Sequence, residues 1–492
     1  MSAGDDFCIM NKRIIVYILG WVLIVEGIAM QVCTVTSVIY REHEGLYFLI
    51  TGGASVIVGV ICVKFKKKKN MVLYQKAGFT ATALSWILLS LVGCLPFWLS
   101  GEIPHFTNAL FETVSGFTTT GATILVEVEQ LSHGMLMWRS LMNWLGGMGV
   151  IVFLLALIPK LGGQQNINLM KAESPGPIIG KAVPHMRAYA ALLYGIYIGL
   201  TAMECILLLI GGVDFFDAIN TSFATAGTGG FGVRNNNMAA YEGYYLQTVI
   251  AVFMMLFGIN FSFYILLIAR KFKQAFRITE LWFYLGIIAV STIVIGSVII
   301  PRYHYDAHEA FHQSFFYVSS IMTTTGFGIG DVNDWPMLAK AIIVIITFIG
   351  AMAGSTGGGF KVSRIVLLAK EAKKEIKLLI HPRNVRTVMM DGKAVDHNVM
   401  RTTSVFLVLY MMIFIFSFLL VSIEGRDFLT SFTSVAATLN NTGPGLSLVG
   451  PVGNYAMFND FSKFVMMFDM LAGRLEIFPM IIIFIPSIWK KV

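Results

Sequence analysis

Long apolar runs recur along the whole chain and limit its fold more than any other feature of the sequence. A helix needs roughly 20 apolar residues to cross a lipid bilayer. The runs lack the alternation of outer-membrane barrel strands, and lipid offers no hydrogen bonds to an open backbone. The sequence therefore predicts an all-α integral membrane protein. We expect ten crossings, at residues 14–38, 46–63, 78–99, 136–159, 188–212, 245–269, 279–300, 337–369, 402–423 and 462–488.

The composition and the cysteines agree with this class. The 492 residues are 56% hydrophobic and only 13% charged, with a mean hydropathy of +0.73, so polar residues are too few to cover a water-soluble protein. The first run is too long for the core of a signal peptide, and we expect it to be retained as a span. The cysteines have no CxxC pair or metal-site spacing and are expected to be reduced packing residues. They are Cys8, Cys33, Cys62, Cys94 and Cys205.

Basic residues form three clusters between the apolar runs, and the net charge is +8. Short basic loops remain in the cytoplasm, and ten crossings place these clusters and both termini on the inner side. Because membrane spans flank each cluster, nucleic-acid binding is not expected. The clusters are Lys64, Lys66, Lys67, Lys68 and Lys69; Arg270, Lys271, Lys273 and Arg277; and Lys370, Lys373, Lys374, Lys377, Arg383 and Arg386.

An internal repeat is the most informative pattern in the chain. Four times, on the outer side and between two spans, a semi-apolar stretch too short to cross leads into a loop rich in Thr and Gly. Aligned on one glycine each, the loops recur at intervals of about 100 residues. Each unit consists of a span, a half-helix, a glycine loop and a second span, and the first two spans stand apart. The loops are residues 115–123, 224–232, 320–328 and 437–445, aligned on Gly121, Gly230, Gly326 and Gly443.

This arrangement is typical of a cation filter. A dehydrated monovalent cation needs oxygen ligands in place of water, and backbone carbonyls from four loops supply them. Glycine permits the backbone conformations that turn successive carbonyls toward one axis. Each half-helix directs its negative C-terminal end at the same place, which favours cations. Four loops that only pack helices together are the alternative interpretation.

Six segments give the chain a resemblance to a known family over almost its full length. They are residues 116–122, 146–151, 323–327, 353–359, 439–446 and 472–476. In these segments the chain resembles the Trk/Ktr/HKT superfamily of potassium transporters. Its two extra N-terminal spans are similar to those of the Trk-type membrane subunit. The second loop, with its run of glycines at 227, 229 and 230, departs most from the family pattern.

The resemblance implies potassium uptake across a bacterial-type cytoplasmic membrane rather than an enzymatic activity. It implies pore units in pseudo-fourfold symmetry at 71–165, 166–275, 276–380 and 381–492, preceded by two transmembrane helices in 1–70. Glycine at all four filter positions implies a preference for potassium over sodium. The expected filter residues are Thr119, Thr120, Gly121, Thr228, Gly229, Gly230, Thr324, Thr325, Gly326, Asn441, Thr442 and Gly443.

The resemblance also implies partners. It predicts a homodimer in the lipid membrane and a separate cytosolic nucleotide-binding subunit docked on the basic inner loops. No cofactor is expected in the chain itself, which has no Walker A lysine and no dinucleotide-binding fingerprint. The sequence leaves open whether potassium moves passively or together with protons or sodium, as in a secondary transporter.

The eighth span contains a glycine tract that predicts a break. Each glycine costs a helix about 1 kcal/mol, and non-helical backbone at membrane depth lines a cavity. The resemblance implies that the tract obstructs the path below the filter, together with an arginine in the last span, where a buried cation is a functional candidate. Close helix packing is the alternative for the tract, and an ion pair with Asp469 or Glu476 is the alternative for the arginine. The gate residues are Gly354, Ser355, Thr356, Gly357, Gly358, Gly359 and Arg474.

Some other residues have competing interpretations. His308 and His312 frame an HExxH motif typical of zinc proteases. However, Glu309 is explained by its place at a helix N-terminus, and no third ligand is apparent, so a metalloprotease is the weaker hypothesis. Glu112 and Asp331 flank filter loops and either concentrate cations at the mouth or serve as solvated or capping groups. Asn440 and Asn441 are expected to hold the fourth loop by hydrogen bonds.

Overall fold

Helices account for most of the structure. The computed structural model describes residues 12–64, 75–149, 186–381 and 387–486, and the expectation of a predominantly helical protein is confirmed. A short antiparallel hairpin pairs β1 (Met389–Met390) with β2 (Lys393–Ala394). The helices are α1 Lys12–Tyr40, α2 Gly45–Lys64, α3 Gln75–Gly93, α4 Leu95–Ser100, α5 Phe106–Phe117, α6 His133–Gly147, α7 Met186–Ile210, α8 Phe215–Gly227, α9 Tyr244–Phe257, α10 Phe261–Ile268, α11 Phe272–Ala275, α12 Thr279–Ile299, α13 Ala307–Met322, α14 Met337–Ile349, α15 Val362–Ile380, α16 His397–Ser422, α17 Phe428–Leu439, α18 Asp460–Arg474 and α19 Phe478–Ile483.

Several predicted features lie outside the described residues. They are Cys8, the four lysines Lys66, Lys67, Lys68 and Lys69, the two arginines Arg383 and Arg386, and the part of the fourth span beyond residue 149.

Within the described ranges, six helical stretches are long and apolar enough to cross a membrane, and the pair α9 and α10 would make a seventh. Their burial pattern is that of spans in a bundle. On α16, for example, Phe406, Tyr410 and Phe414 are buried, whereas Val408 and Met412 are exposed. The exposed side chains are as apolar as the buried ones, which suits a helix with protein on one side and lipid on the other. The six stretches are Lys12–Tyr40, Gly45–Lys64, Ala77–Ser100, Ala188–Ile210, Thr279–Tyr303 and His397–Ser422.

Breaks interrupt more spans than the sequence indicates. The sequence predicts a break only in the eighth span, and the structure has one there, between α14 and α15. The sixth span also bends, by 89° between α9 and α10. Gly258 ends α9, and the side chain of Asn260 caps α10 by accepting the Ser262 N–H at 2.8 Å. The tenth span breaks between α18 and α19, where Glu476 and Ile477 have left-handed φ values of 53° and 67°.

The first two helices pack closely through glycines. A Cβ on Gly27 of α1 would lie 2.5 Å from the carbonyl oxygen of Gly52 on α2, and a Cβ on Gly20 would lie 2.9 Å from that of Gly59. The Ser55 hydroxyl adds a hydrogen bond of 2.9 Å to the Leu23 carbonyl. Small residues at a helix crossing let two backbones approach closely, which is how helices associate in lipid.

We therefore expect Gly27→Ala to destabilise the protein by about 1–3 kcal/mol, because the added methyl group forces the two backbones apart. Thermal unfolding of the purified protein in detergent measures the effect. Gly53→Ala is the matched control, because a Cβ at Gly53 meets no atom within 4 Å and alanine is the better helix former. Equal melting temperatures for the two variants would contradict the close crossing.

Candidate functional site

Four short helices end in loops of the same backbone shape. The helices are α5, α8, α13 and α17, and each is followed by a residue in the left-handed region and, two positions later, by a glycine in that region. Three of the four non-glycine residues are threonines, which avoid this conformation because their side chains branch at Cβ. Strain of this kind is kept at functional sites, where the surrounding structure imposes it. The pairs are Thr119 and Gly121, Thr228 and Gly230, Thr324 and Gly326, and Asn441 and Gly443.

The residue between the two left-handed positions is held in the same way in each loop. Its N–H donates to the carbonyl five residues earlier, in the last turn of the short helix, at 2.8 to 2.9 Å. This bond ends the helix and fixes the start of the loop. The four donor and acceptor pairs are Thr120 and Ser115, Gly229 and Ala224, Thr325 and Ser320, and Thr442 and Ala437.

The four loops contact one another in a closed cycle. A Cβ on the glycine of each loop would lie under 3.0 Å from a carbonyl oxygen of the next loop, and the fourth loop closes onto the first. The left-handed φ disfavours a larger residue at these glycines, and the close approach leaves no space for its Cβ. The glycines and the facing carbonyls are Gly121 with Gly229, Gly230 with Thr325, Gly326 with Thr442, and Gly443 with Thr120.

The facing carbonyl oxygens of Thr120, Gly229, Thr325 and Thr442 accept no hydrogen bond from any residue that the structure describes. All four residues are buried, and buried carbonyls of soluble and membrane proteins are normally paired. By contrast, the carbonyl of Gly443 accepts from the Tyr455 hydroxyl at 2.7 Å. Unpaired oxygens from four loops are chemically suited to replace the water around a monovalent cation.

The N-termini of three of the short helices are capped by aspartates. Asp214, Asp306 and Asp427 accept backbone N–H bonds from the first turns of α8, α13 and α17, respectively. A negative charge is favourable at a helix N-terminus. Hydrogen bonds from Thr430 hold the pKa of Asp427 below its ordinary value. The loops follow the opposite ends of these helices, which carry the partial negative charge of the helix dipole.

Glu112 does not lie free at a mouth, so two of the roles left open for it, concentrating cations there and being solvated, are wrong. It is fully buried and pairs with Arg139, with Nε and one carboxylate oxygen 2.9 Å apart. The same carboxylate accepts the N–H of Ile124, which leaves the first loop, at 3.0 Å. Arg139 also donates to the carbonyl of Gly232, the last residue of the second loop, at 3.0 Å. The pair therefore joins the first loop to the second.

Side chains of the fourth loop connect it to its neighbours. Asn441 donates to the Thr120 hydroxyl of the first loop and to the Met470 carbonyl, both at 2.9 Å. Asn440 accepts from the Tyr410 hydroxyl at 2.8 Å. Both asparagines thus make hydrogen bonds that hold the loop. Asp331 is exposed and accepts the N–H of Asn333 at 2.9 Å, which is a local turn contact.

The glycine segment, residues 350–361, lies against the loops. Gly358 donates its N–H to the Thr324 hydroxyl at 2.6 Å, and Gly359 donates to the Asn440 carbonyl at 3.0 Å. On another side, the N–H of Met352 bonds to the Gly258 carbonyl at 3.2 Å, within the bend of the sixth span. The segment is therefore a broken helix that fills the space between other units, and not a tightly packed continuous helix.

Arg474 completes the contacts of the glycine segment. It donates to the Thr356 carbonyl of the segment at 2.8 Å and to the carbonyls of Gly146 and Gly147 at the end of α6. The two acids considered as its partners make other bonds. Glu476 pairs with Arg364, and Asp469 accepts from the Ser417 hydroxyl at 2.7 Å. Arg474 thus joins the first unit, the glycine segment and the last span.

The HExxH motif has no third metal-ligating side chain beside it among the described residues. Among the described residues, no three His, Cys, Asp or Glu side chains are grouped in a way that could hold a metal ion. The rings of His308 and His312 instead pack edge-on against Tyr244, and Glu309 accepts from the Tyr244 hydroxyl at 2.9 Å. The motif is a surface contact between α9 and α13.

Comparison with known protein families identifies the family of this chain. A family model described as "TrkH: Cation transport protein" matches residues 47–285 and 275–491. The chain belongs to the TrkH family. The resemblance drawn from the sequence is thereby confirmed, and the TrkH family consists of transport proteins, as expected for a chain that is not an enzyme.

Similar proteins cover nearly the whole chain. It is 35% identical over 489 residues to the Trk system potassium uptake protein TrkH of Escherichia coli K12, covering 98% of this chain and 100% of the relative. TrkG of the same strain is 34% identical, with 98% and 99% covered. The crystal structure of the potassium transporter TrkH from Vibrio parahaemolyticus superposes with a TM-score of 0.85 at 32% identity, covering 98% and 100%.

The buried ion pair of Glu112 and Arg139 gives a stability prediction. Arg139→Met should cost about 3–5 kcal/mol, because it leaves the Glu112 carboxylate buried without its cation. The double variant Glu112→Gln with Arg139→Met should recover most of this loss, since neither buried charge remains. Thermal unfolding in detergent tests both variants. A double variant as unstable as the single one would contradict this, because the loss would then come from the missing bonds of the pair and not from an unpaired buried charge.

Proposed function

We propose that this chain takes up potassium ions through a pore whose filter is formed by the four loops. The observation that carries the proposal is the closed cycle of loop contacts, with one unpaired carbonyl oxygen of each loop against a glycine of the next. Such a ring provides carbonyl oxygens that replace the water oxygens lost by a dehydrated cation. The named relatives are potassium uptake proteins, which supports potassium as the ion.

The proposed architecture is four pore units around one path. The units are residues 71–165, 166–275, 276–380 and 381–492, and α1 and α2 in residues 1–70 stand outside them. The common order of span, short helix, loop and second helix supports this division. The recurrence of the same left-handed pair of residues in every loop supports pseudo-fourfold symmetry, and it supports Gly230 as the aligned glycine of the second loop.

The proposed gate is the glycine segment with Arg474. The segment is bonded to the third and fourth loops and to the bend of the second unit. Arg474 connects it to the first unit. A segment tied to all four units below the loops blocks the path, and a guanidinium beside it repels cations. Transport requires these contacts to be released.

The proposed assembly is a homodimer in a bacterial-type cytoplasmic membrane, with both termini in the cytoplasm. A cytosolic nucleotide-binding subunit docks on the basic inner loops, and the chain itself binds no cofactor. The exposed lysines of α15 support this orientation, since cytoplasmic loops are rich in Lys and Arg. The relatives are named as parts of a Trk system, which supports a partner subunit.

Gly121→Ser tests the filter. A side chain at this position collides with the Gly229 carbonyl and disfavours the left-handed backbone, so the ring loses its shape. We expect the preference for rubidium over sodium to fall about tenfold, which corresponds to about 1.4 kcal/mol. The measurement is uptake of radioactive rubidium into potassium-loaded liposomes, with competing sodium.

Gly330→Ser is the matched control for the filter test, because a Cβ there meets nothing within 4 Å. It should keep the selectivity of the unmodified protein. Unchanged discrimination in Gly121→Ser, with normal folding, would remove the first loop from the filter. An imposed proton gradient in the same assay separates a channel-like path, which needs no gradient, from a coupled carrier.

Arg474→Ala tests the gate. Removing the guanidinium frees the Thr356 carbonyl from the first unit, so we expect rubidium flux at least several-fold above that of the unmodified protein. Arg302→Ala, which deletes an exposed arginine paired with Asp334, controls for the loss of positive charge and should not change the flux. If Arg474→Ala transports at the unmodified rate, Arg474 is not part of the gate.

A further inference from the structure

We propose that Glu280 is a positioning residue that holds the glycine segment in its closed shape. The inference rests on the gate proposed above and adds a residue from outside the segment and the last span. Glu280 lies in the first turn of α12, the first span of the third unit, and is buried, with 4% of its surface exposed.

One oxygen of Glu280 binds both ends of the segment. Its Oε1 accepts the N–H of Ala353 at 2.8 Å and the N–H of Ser363 at 2.9 Å. Ala353 immediately precedes the glycines at 354–359, and Ser363 is the second residue of α15, the helix that follows the segment. A single carboxylate therefore holds together the two ends of the loop that runs from Ala353 to Ser363.

The two bonds satisfy donors that have no alternative. Ser363 lies in the first turn of α15, where backbone N–H groups have no partner within the helix. Ala353 lies in non-helical backbone, and both residues are buried. A negative charge at the start of α15 is also favoured by the helix dipole. Losing Glu280 would leave two buried N–H groups unpaired in the closed shape only, so the closed shape would be destabilised relative to an open one.

Glu280 and Arg474 both hold the segment by hydrogen bonds, but Glu280 is an acceptor and Arg474 is a donor. The carboxylate of Glu280 accepts from backbone N–H groups at the ends of the loop, whereas Arg474 donates to the Thr356 carbonyl within it. The two residues come from different units, and an opening movement of the segment must break both sets of bonds. Glu280 is itself held in place, because the neighbouring Thr279 N–H bonds to Asp391 of the β-hairpin loop at 2.8 Å.

The test compares two substitutions of Glu280 in the full chain reconstituted in liposomes. Glu280→Ala removes the acceptor, and we expect rubidium flux about tenfold above the unmodified protein. Glu280→Gln keeps an oxygen that accepts both N–H groups, so its flux should stay within about twofold of the unmodified protein. Hydrogen exchange of peptides covering residues 350–363 should be faster in Glu280→Ala and unchanged in Glu280→Gln.

Glu26→Ala is the matched control. Glu26 is a carboxylate of equal burial on α1, beside Gly93, and its removal should leave both the flux and the exchange of residues 350–363 unchanged. If Glu280→Ala does not fold, Glu280→Asp keeps the charge on a side chain one carbon shorter, and it should show raised flux and faster exchange for the same reason.

Two results would overturn the inference. The first is that Glu280→Ala has the flux and the hydrogen exchange of the unmodified protein while Arg474→Ala raises the flux. If Glu280→Ala does not fold, the same result in Glu280→Asp counts instead. The other is an equal flux increase in Glu26→Ala, which would indicate a general leak. Failure of the proposed gate itself is distinguishable, because in that case Arg474→Ala would not raise the flux either.

Discussion

The close approach of the four loops is the constraint on which the rest of the structure depends. Each loop glycine lies against a carbonyl of the next loop with no space for a Cβ. The approach depends on the shared shape of the loops, and in each loop the residue before the glycine bonds to the last turn of the short helix. It also requires neighbouring loops to be connected by side chains, and the Glu112–Arg139 pair connects the first loop to the second. The aspartate caps and the buried ion pair are consequences of that geometry.

The breaks in the surrounding spans follow from the same rule about backbone groups. Backbone that leaves the helix at membrane depth must find partners inside the protein. Here the interrupted helices supply them to each other. The N–H of Phe261, after the bend of the sixth span, bonds to the Gly354 carbonyl at 3.0 Å. Arg474 takes the free carbonyls of Gly146 and Gly147 at the end of α6. The bend of the sixth span and the break of the eighth span thus satisfy backbone groups of each other.

The parts of the site that depend on a local sequence pattern, such as a repeat or a run of glycines, could be predicted from the sequence. The four glycines were found because their loops repeat, and the glycine tract because its composition opposes a helix. The break at residues 475–477 was missed although Pro479, the second residue of α19, is a signal for it. The pairing of Glu112 with Arg139 joins residues far apart in the chain, and spacing alone does not show that they meet. Glu280 was missed for the same reason, although a carboxylate in the first turn of an apolar span is a visible signal.

The glycine segment and the third and fourth loops are joined by hydrogen bonds into one structure. Gly358 has no space for a Cβ because the Asn440 carbonyl lies against it. Its N–H binds the hydroxyl of Thr324, the left-handed residue of the third loop. A bulkier residue at Gly358 would push the segment away from the loops, and a movement of the segment would release a hydroxyl of the third loop. The four loops share a backbone shape but differ in their surroundings, because the segment bonds directly to the third and fourth loops. Glycine is thus needed in the segment for the same reason as in the loops, which is that backbone must lie directly against backbone.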